Sequence, residues 1–222
     1  MIIGSVQPSY LPWLPFFERI ILSDVFVLLD DVKYTKNSSW NRNKILTKNG
    51  KLLLTVPIIY KERDQTKVNE VCIDNSKNWK NKHWNTIVQT FGKSDYWKNY
   101  NEEICEIYEN EYIKLIDLQL KVINFFLKKF NITKKIYLSS SLNIKDKGNE
   151  KIVKICKFFN GSKFLVKPNS EEYHPKKYFK DNGIDLLNFT YTDIILEKNK
   201  SFDKELSALD YLLNFGNILP YK

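Results

Sequence analysis

Only three cysteines occur, Cys72, Cys105 and Cys156, far apart and odd in number, which argues against a disulfide framework and clustered thiolate ligands. A reducing cytoplasm is the expected compartment. Seven glycines and seven prolines are too few for a linker-rich, collagen-like or disordered chain. No uninterrupted apolar run approaches the ~20 residues that cross a bilayer. The opening MIIGSVQPSYLPWLPFF lacks a basic lead and is broken by Gln7 and three prolines, so it reads poorly as a signal peptide. The two histidines, His83 and His174, have no metal-ligand spacing and no nearby cysteine, so no zinc site is expected. A Walker loop, a dinucleotide fingerprint, a Gly-x-Ser-x-Gly element and an RNA-binding sheet motif are all missing.

What the chain does have is bulk. Fourteen Phe, thirteen Tyr and five Trp supply a core for one compact α/β domain over residues 1–222. Its charge is uneven. Residues 121–180 hold 15 Lys against Asp146, Glu150, Glu171 and Glu172, or +11 of a total of +9, so the remainder nets −2. Such a band either draws an anionic partner, such as a nucleotide sugar, lipid phosphate, nucleic acid or membrane surface, or forms a solvated lysine-rich face.

Periodicity sketches the elements. Apolar runs at 1–7 and 24–29 with LPFFERIILS between them predict a strand-helix-strand unit, which would set Gln7 to Trp13 and Asp30-Asp31 on one rim beyond the strand ends. Lys48-Asn49-Gly50 between KILT and KLLLTVPI predicts an antiparallel hairpin. A strand at 71–74 is followed by a helix over 76–91. One or two helices then cover 102–130, so that a helical segment at about 77–130 acts as insertion or scaffold. Strands at IYLSS, KFLV and LLNFT alternate with helices at 149–159 and after Pro175, and ELSALDYLLNF closes as a helix stopped by Gly216. The expected fold is an open, largely parallel sheet with an antiparallel hairpin and a long central helical segment.

Two segments carry candidate chemistry. In Gln7-Pro8-Ser9-Tyr10-Leu11-Pro12-Trp13, three prolines at 8, 12 and 15 stiffen a loop that offers Gln7, Tyr10 and Trp13 to a sugar or base, although both aromatics also suit a core. In DDVKYTKNSSWNRNK, Asp30 and Asp31 face opposite ways unless the strand has ended. One of them suits a general base or magnesium ligand and the other a loop cap. Tyr34, Asn37, Trp40, Asn41, Arg42, Asn43 and Lys44 crowd the same loop, and the scarce arginine fits phosphate or carboxylate. His83 lies on a Trp-rich helical face, as a core residue or a proton-transfer group. Ser139-Ser140-Ser141 ends a strand and offers hydroxyls to a ligand, but without a Gly-x-Ser-x-Gly context it reads more simply as structural.

These residues give the chain a resemblance to the WbqC-like family of bacteria. It runs from Q-P-x-Y-L-P-W at 7–13 through D-V-F-V-x-L-D-D-V at 24–32, N-R-N-K at 41–44 and L-T-V-P-I at 54–58. It continues through W-x3-H-W at 79–84 to L-S-A-L-D-Y-L-L-N-F-G at 206–216. A departure is Val166-Lys167-Pro168-Asn169-Ser170, where a glycine-containing segment often stands in the family. A second resemblance, of topology only, is to nucleotidyltransferase-like α/β folds, but the turn here has neither histidine nor glycine of their H-x-G-H element.

The family resemblance implies a cytoplasmic transferase of O-antigen, capsule or flagellar glycan synthesis acting on a nucleotide-linked amino sugar or another anionic small molecule. The implied reaction is amide formation with an acyl or aminoacyl group, from a thioester, an adenylate or a charged tRNA. Nucleic acid is otherwise not expected, and the cofactor is left open. Such chemistry asks for a base, Asp30 or Asp31 with His83 as the substitute, and for orienting groups at Asn41, Arg42 and Asn43. Two alternatives stand beside it: a non-catalytic sugar- or lipid-phosphate-binding partner of a glycan assembly enzyme, and a nucleotidyltransferase-like enzyme without the histidine element.

Overall fold

The computed structural model describes residues 1–35, 39–59, 66–167, 170, 172–192, 195–196 and 200–220. They form two compact units interleaved along the chain. The first comprises Met1–Gln7, Pro15–Val32 and Thr133–Thr192, and the second Pro8–Leu14, Lys33–Ile132 and Asp193–Lys222.

The first unit is built on five strands: β1 (Ile2–Val6), β2 (Val25–Leu28), β7 (Ile136–Leu138), β8 (Lys163–Val166) and β9 (Asp185–Asn188). They pair in parallel in the order β7-β2-β1-β8-β9. Parallel neighbours need crossovers, and three helices supply them: α1 (Leu14–Leu22) between β1 and β2, α5 (Gly148–Phe158) between β7 and β8, and α6 (Lys176–Asp181) between β8 and β9. The unbroken apolar run of β2 fits a strand covered on both faces. On one face Ile3, Val27, Phe164 and Val166 pack with Ile152, Ile155 and Cys156 of α5 and Phe179 of α6. Phe16 of α1 meets Phe26 of β2 edge-on at 6.0 Å. Gly4 makes room for this layer, because a Cβ there would collide with the Ser23 hydroxyl and come within 2.9 Å of Phe26.

The second unit holds the hairpin β3 (Arg42–Thr47) and β4 (Gly50–Thr55), and a short antiparallel pair, β5 (Ile58–Ile59) with β6 (Cys72–Ile73). Its helices are α2 (Trp79–Phe91), α3 (Trp97–Glu109), α4 (Leu115–Lys129) and α7 (Ala208–Phe215), and β10 (Ile195–Leu196) pairs with β11 (Lys200–Ser201). The α/β class, the parallel sheet, the hairpin and the central helical segment are those expected from the sequence. Among the described residues, no helix is long and apolar enough to cross a membrane.

The hairpin forms where expected, and two helix boundaries are corrected. The hairpin turn is Lys48-Asn49, closed by the Thr47–Gly50 pair, and the positive φ (105°) falls on Gly50, the first residue of β4. The helical run through 102–130 is two helices, the first starting earlier, at Trp97, which stacks on Trp84 of α2 with centroids 5.7 Å apart. The link between them is diverted because Ile113 accepts a hydrogen bond from the Ile73 amide and Leu115 donates one to Val71. The last helix begins at Ala208, not Glu205, because the Ser207 hydroxyl caps it by accepting from the Leu209 amide at 3.1 Å.

Candidate functional site

The carboxyl edge of the parallel sheet gathers the acidic candidates. Val6 pairs with Leu28, and Leu28 with Leu138, so Gln7, Asp30-Asp31 and Ser139-Ser140 leave three neighbouring strands at the same level. Since β2 ends at Leu28, the alternation of a strand no longer separates the two aspartates, and both accept from the Ser139 hydroxyl. Asp30, 2% exposed, also accepts from the Ser140 amide at 2.9 Å and the Ser140 hydroxyl at 2.6 Å. Asp31 forms an ion pair with Lys151 of α5 at 2.7 Å, and the same ammonium donates to the Ile144 carbonyl at 2.8 Å.

Burial works to raise the Asp31 pKa, but hydrogen bonds from Lys151 and Ser139 together outweigh it and hold the carboxyl below its usual range. Asp31 is therefore ionised at neutral pH. Gln7 is half-buried, and among the described residues its carboxamide has no hydrogen-bond partner. The serine run, read from sequence as reaching for a ligand, spends two of its hydroxyls on the aspartates. Lys151 was missed. Its signal was its place four residues before Ile155, on the buried face of α5, where a lysine needs a buried partner.

The other candidates belong to the second unit. Tyr10 is fully buried, and its hydroxyl lies 2.9 Å from His83 Nδ1 and 2.7 Å from the Tyr108 hydroxyl. Burial lowers the His83 pKa to about 4, against a smaller opposing effect from the Thr55 carbonyl, which accepts from the ring. The ring is thus neutral, and with its N–H given to Thr55 its Nδ1 accepts from Tyr10, which accepts in turn from Tyr108. Burial pushes both tyrosine pKa values up. This is a dry relay inside the unit.

Asn41 is likewise committed, donating to the Val56 carbonyl at 2.8 Å and accepting from the Tyr34 hydroxyl at 3.2 Å. Trp40 is buried edge-on against Tyr34 at 4.8 Å, and its carbonyl accepts from Gln119 at 2.7 Å and from the Tyr10 amide. Asn43 donates to the Leu11 carbonyl at 2.5 Å, and Lys44 pairs with Glu205 at 2.8 Å. Arg42 is half-buried on β3 opposite Thr55, Trp13 is half-buried and bridges to Ser207, and Asn37 lies outside the described residues. An open hollow of about 470 Å³ in this unit is lined by Lys48, Asn49, Leu52, Thr86, Gln89 and Thr90, none of them a candidate.

Comparison with known proteins draws on the same residues. The model of the WbqC-like protein family matches residues 7–218, which takes in both units. The chain belongs to the WbqC-like family. This WbqC-like chain is also 26% identical over 221 residues to the uncharacterized protein Rv1507c of Mycobacterium tuberculosis, covering 98% of this chain and 95% of that one. The family match begins at Gln7, where β1 gives way to the sheet edge, and it includes every candidate residue.

Proposed function

We propose that this WbqC-like protein is a transferase of bacterial surface-glycan synthesis, which binds a nucleotide-linked amino sugar at the carboxyl edge of the five-stranded sheet and joins its amine to an acyl or aminoacyl group. The observation that supports the location is the strand order: the winding reverses between β1 and β8, and open α/β sheets take ligands outside the carboxyl ends at such a point. The glycan context comes from the family resemblance.

In this reading Asp31, ionised and partly open, receives the amine. As the carbon–nitrogen bond forms, the nitrogen becomes strongly acidic, so even a carboxylate of low pKa suffices to take its proton while the activating group leaves the acyl carbon. Asp30 holds the Ser139-Ser140 turn and Gln7 orients sugar hydroxyls. The donor is a thioester, an adenylate or a charged tRNA. His83, Tyr10, Tyr34, Trp40, Asn41 and Asn43, all committed to partners within the second unit, act there as scaffold.

Thermal-shift screening with UDP-, GDP-, dTDP- and CMP-linked sugars, ATP and coenzyme A tests this, because a ligand at 100 times its Kd adds about 2.7 kcal/mol of apparent stability. The expected result is a shift with an amino-sugar nucleotide, retained by Asp31→Asn, with amide product by mass spectrometry lost in that variant. No response to any nucleotide sugar sinks the reading. A second reading, a non-catalytic binding partner of a glycan assembly enzyme, is favoured by the donors that both aspartates already have; under it, sugar binding occurs without product.

A further inference from the structure

The sheet opens where its winding reverses. β1 and β2 stay paired through Val6–Leu28, and β8 and β9 through Val166–Asn188, whereas β1 and β8 pair only at Ile2–Lys163 and Ile3–Phe164. Beyond that point the Leu165 carbonyl accepts from the guanidinium of Arg19, on α1, at 3.0 Å. Arg19 thus stands in the parting between the two strands. Its guanidinium lies over the Phe189 ring, 5.5 Å from the centroid, and hydrogen-bonds the Tyr191 side chain. Its Nε is buried without a hydrogen-bond partner, and among the described residues no carboxylate forms an ion pair with it.

A second cation joins it. Lys167 is the first residue past β8, exposed, with its ammonium 5.6 Å from the centroid of the same Tyr191 ring. Glu18, next to Arg19 on α1, is buried and turns its oxygens to the Thr192 amide and hydroxyl. Partial desolvation of the Lys167 ammonium and repulsion from Arg19 both pull its pKa down, and burial followed by Arg19 does the same to His174. Arg19 and Lys167 both contact the Tyr191 side chain, and two cations so placed favour an anion beside them. A planar guanidinium beside a lysine ammonium suits phosphate oxygens.

We infer that Arg19 and Lys167 form the subsite for the diphosphate of the nucleotide-linked sugar, at the parting of β1 and β8. The sugar end would then extend along the same edge to Gln7 and Asp31, so the inference rests on the function proposed above for its ligand, but not for its anion chemistry.

The test is calorimetric titration of inorganic pyrophosphate, and separately of the responding nucleotide sugar, into the wild type, Lys167→Met, Arg19→Gln and Asp31→Asn. Lys167→Met removes an exposed charge and keeps the fold, so it remains informative if Arg19→Gln does not fold. The expected result is a pyrophosphate Kd raised on the order of tenfold in Lys167→Met, the size of one lost charge-assisted hydrogen bond, and unchanged in Asp31→Asn. Pyrophosphate binding that depends on Lys167 while no nucleotide sugar binds keeps the anion subsite and removes the glycan reading. Nucleotide-sugar binding indifferent to Lys167 and not displaced by pyrophosphate overturns the subsite and keeps that reading. Absence of binding by either ligand overturns both.

Discussion

Lys151 Nζ lies 2.7 Å from an Asp31 carboxylate oxygen, with 4% of the lysine side chain and 14% of the aspartate side chain exposed. An ion pair this buried is worth little against a hydrophobic replacement of both partners, but removing one leaves the other charged and dry. Lys151→Met is expected to cost about 3 kcal/mol in urea unfolding, and Lys151→Met with Asp31→Asn to recover most of it. Additive costs would show that the two residues are not coupled. Because the folded pKa of Asp31 lies below its ordinary 3.8, its contribution is present above that pH and is lost as acid carries the pH down through the folded value.

Tyr10 sits in the middle of its relay, between His83 and Tyr108. Tyr10→Phe strips a partner from both, whereas Tyr108→Phe removes only the outer donor. The expected losses are about 2 and about 1 kcal/mol respectively. Equal losses from the two variants would contradict the central place of Tyr10 in the relay.

Two buried groups of the second unit oppose each other in pH dependence. His83 has a folded pKa of about 4 against 6.5 unfolded, so its contribution is present above 6.5 and fades as the pH falls toward 4. Asp210 is pushed up to about 7 from 3.8, mainly by burial, with a smaller opposing hydrogen bond from the Leu46 amide, so its contribution is greatest below 3.8 and fades as the pH rises toward 7. Each shift is worth on the order of 3 to 4 kcal/mol, and between pH 4 and 6.5 the slopes nearly cancel. Asp210→Asn keeps the acceptor for the Leu46 amide but removes the falling limb. Its unfolding free energy should rise with pH across that window while the wild type's stays flat, and parallel curves would refute this.

Gly4→Ala is expected to destabilise by about 2 kcal/mol or more, since the new methyl meets the Ser23 hydroxyl and the Phe26 ring in a covered strand. Circular dichroism melting of the variant measures it. A Tm within a degree of wild type would mean that the α1–sheet layer yields more easily than its packing implies.

Much of this was legible in the chain. Short apolar runs around 2–6 and 25–28 marked parallel strands, the three-and-four spacing of Trp79, His83, Ile87 and Phe91 marked α2, and Gly216 marked the end of α7. The site was less legible. The density of Tyr34, Trp40, Asn41 and Asn43 pointed to ligand contact, yet the same polar atoms satisfy buried backbone carbonyls and one another, and a sequence does not separate those uses. Lys151 and Arg19 looked like ordinary helix lysine and arginine because their partners, Asp31 and Leu165, are 120 and 146 residues away.

Local pattern alone determined the element types, the α/β class and the family, because propensity, periodicity and motif are properties of neighbouring residues. Strand order and register were decided only in three dimensions, since a parallel pairing joins segments that share no turn. Through them came the meeting of both aspartates at Ser139, the ion pair of Asp31 with Lys151 and the opening between β1 and β8.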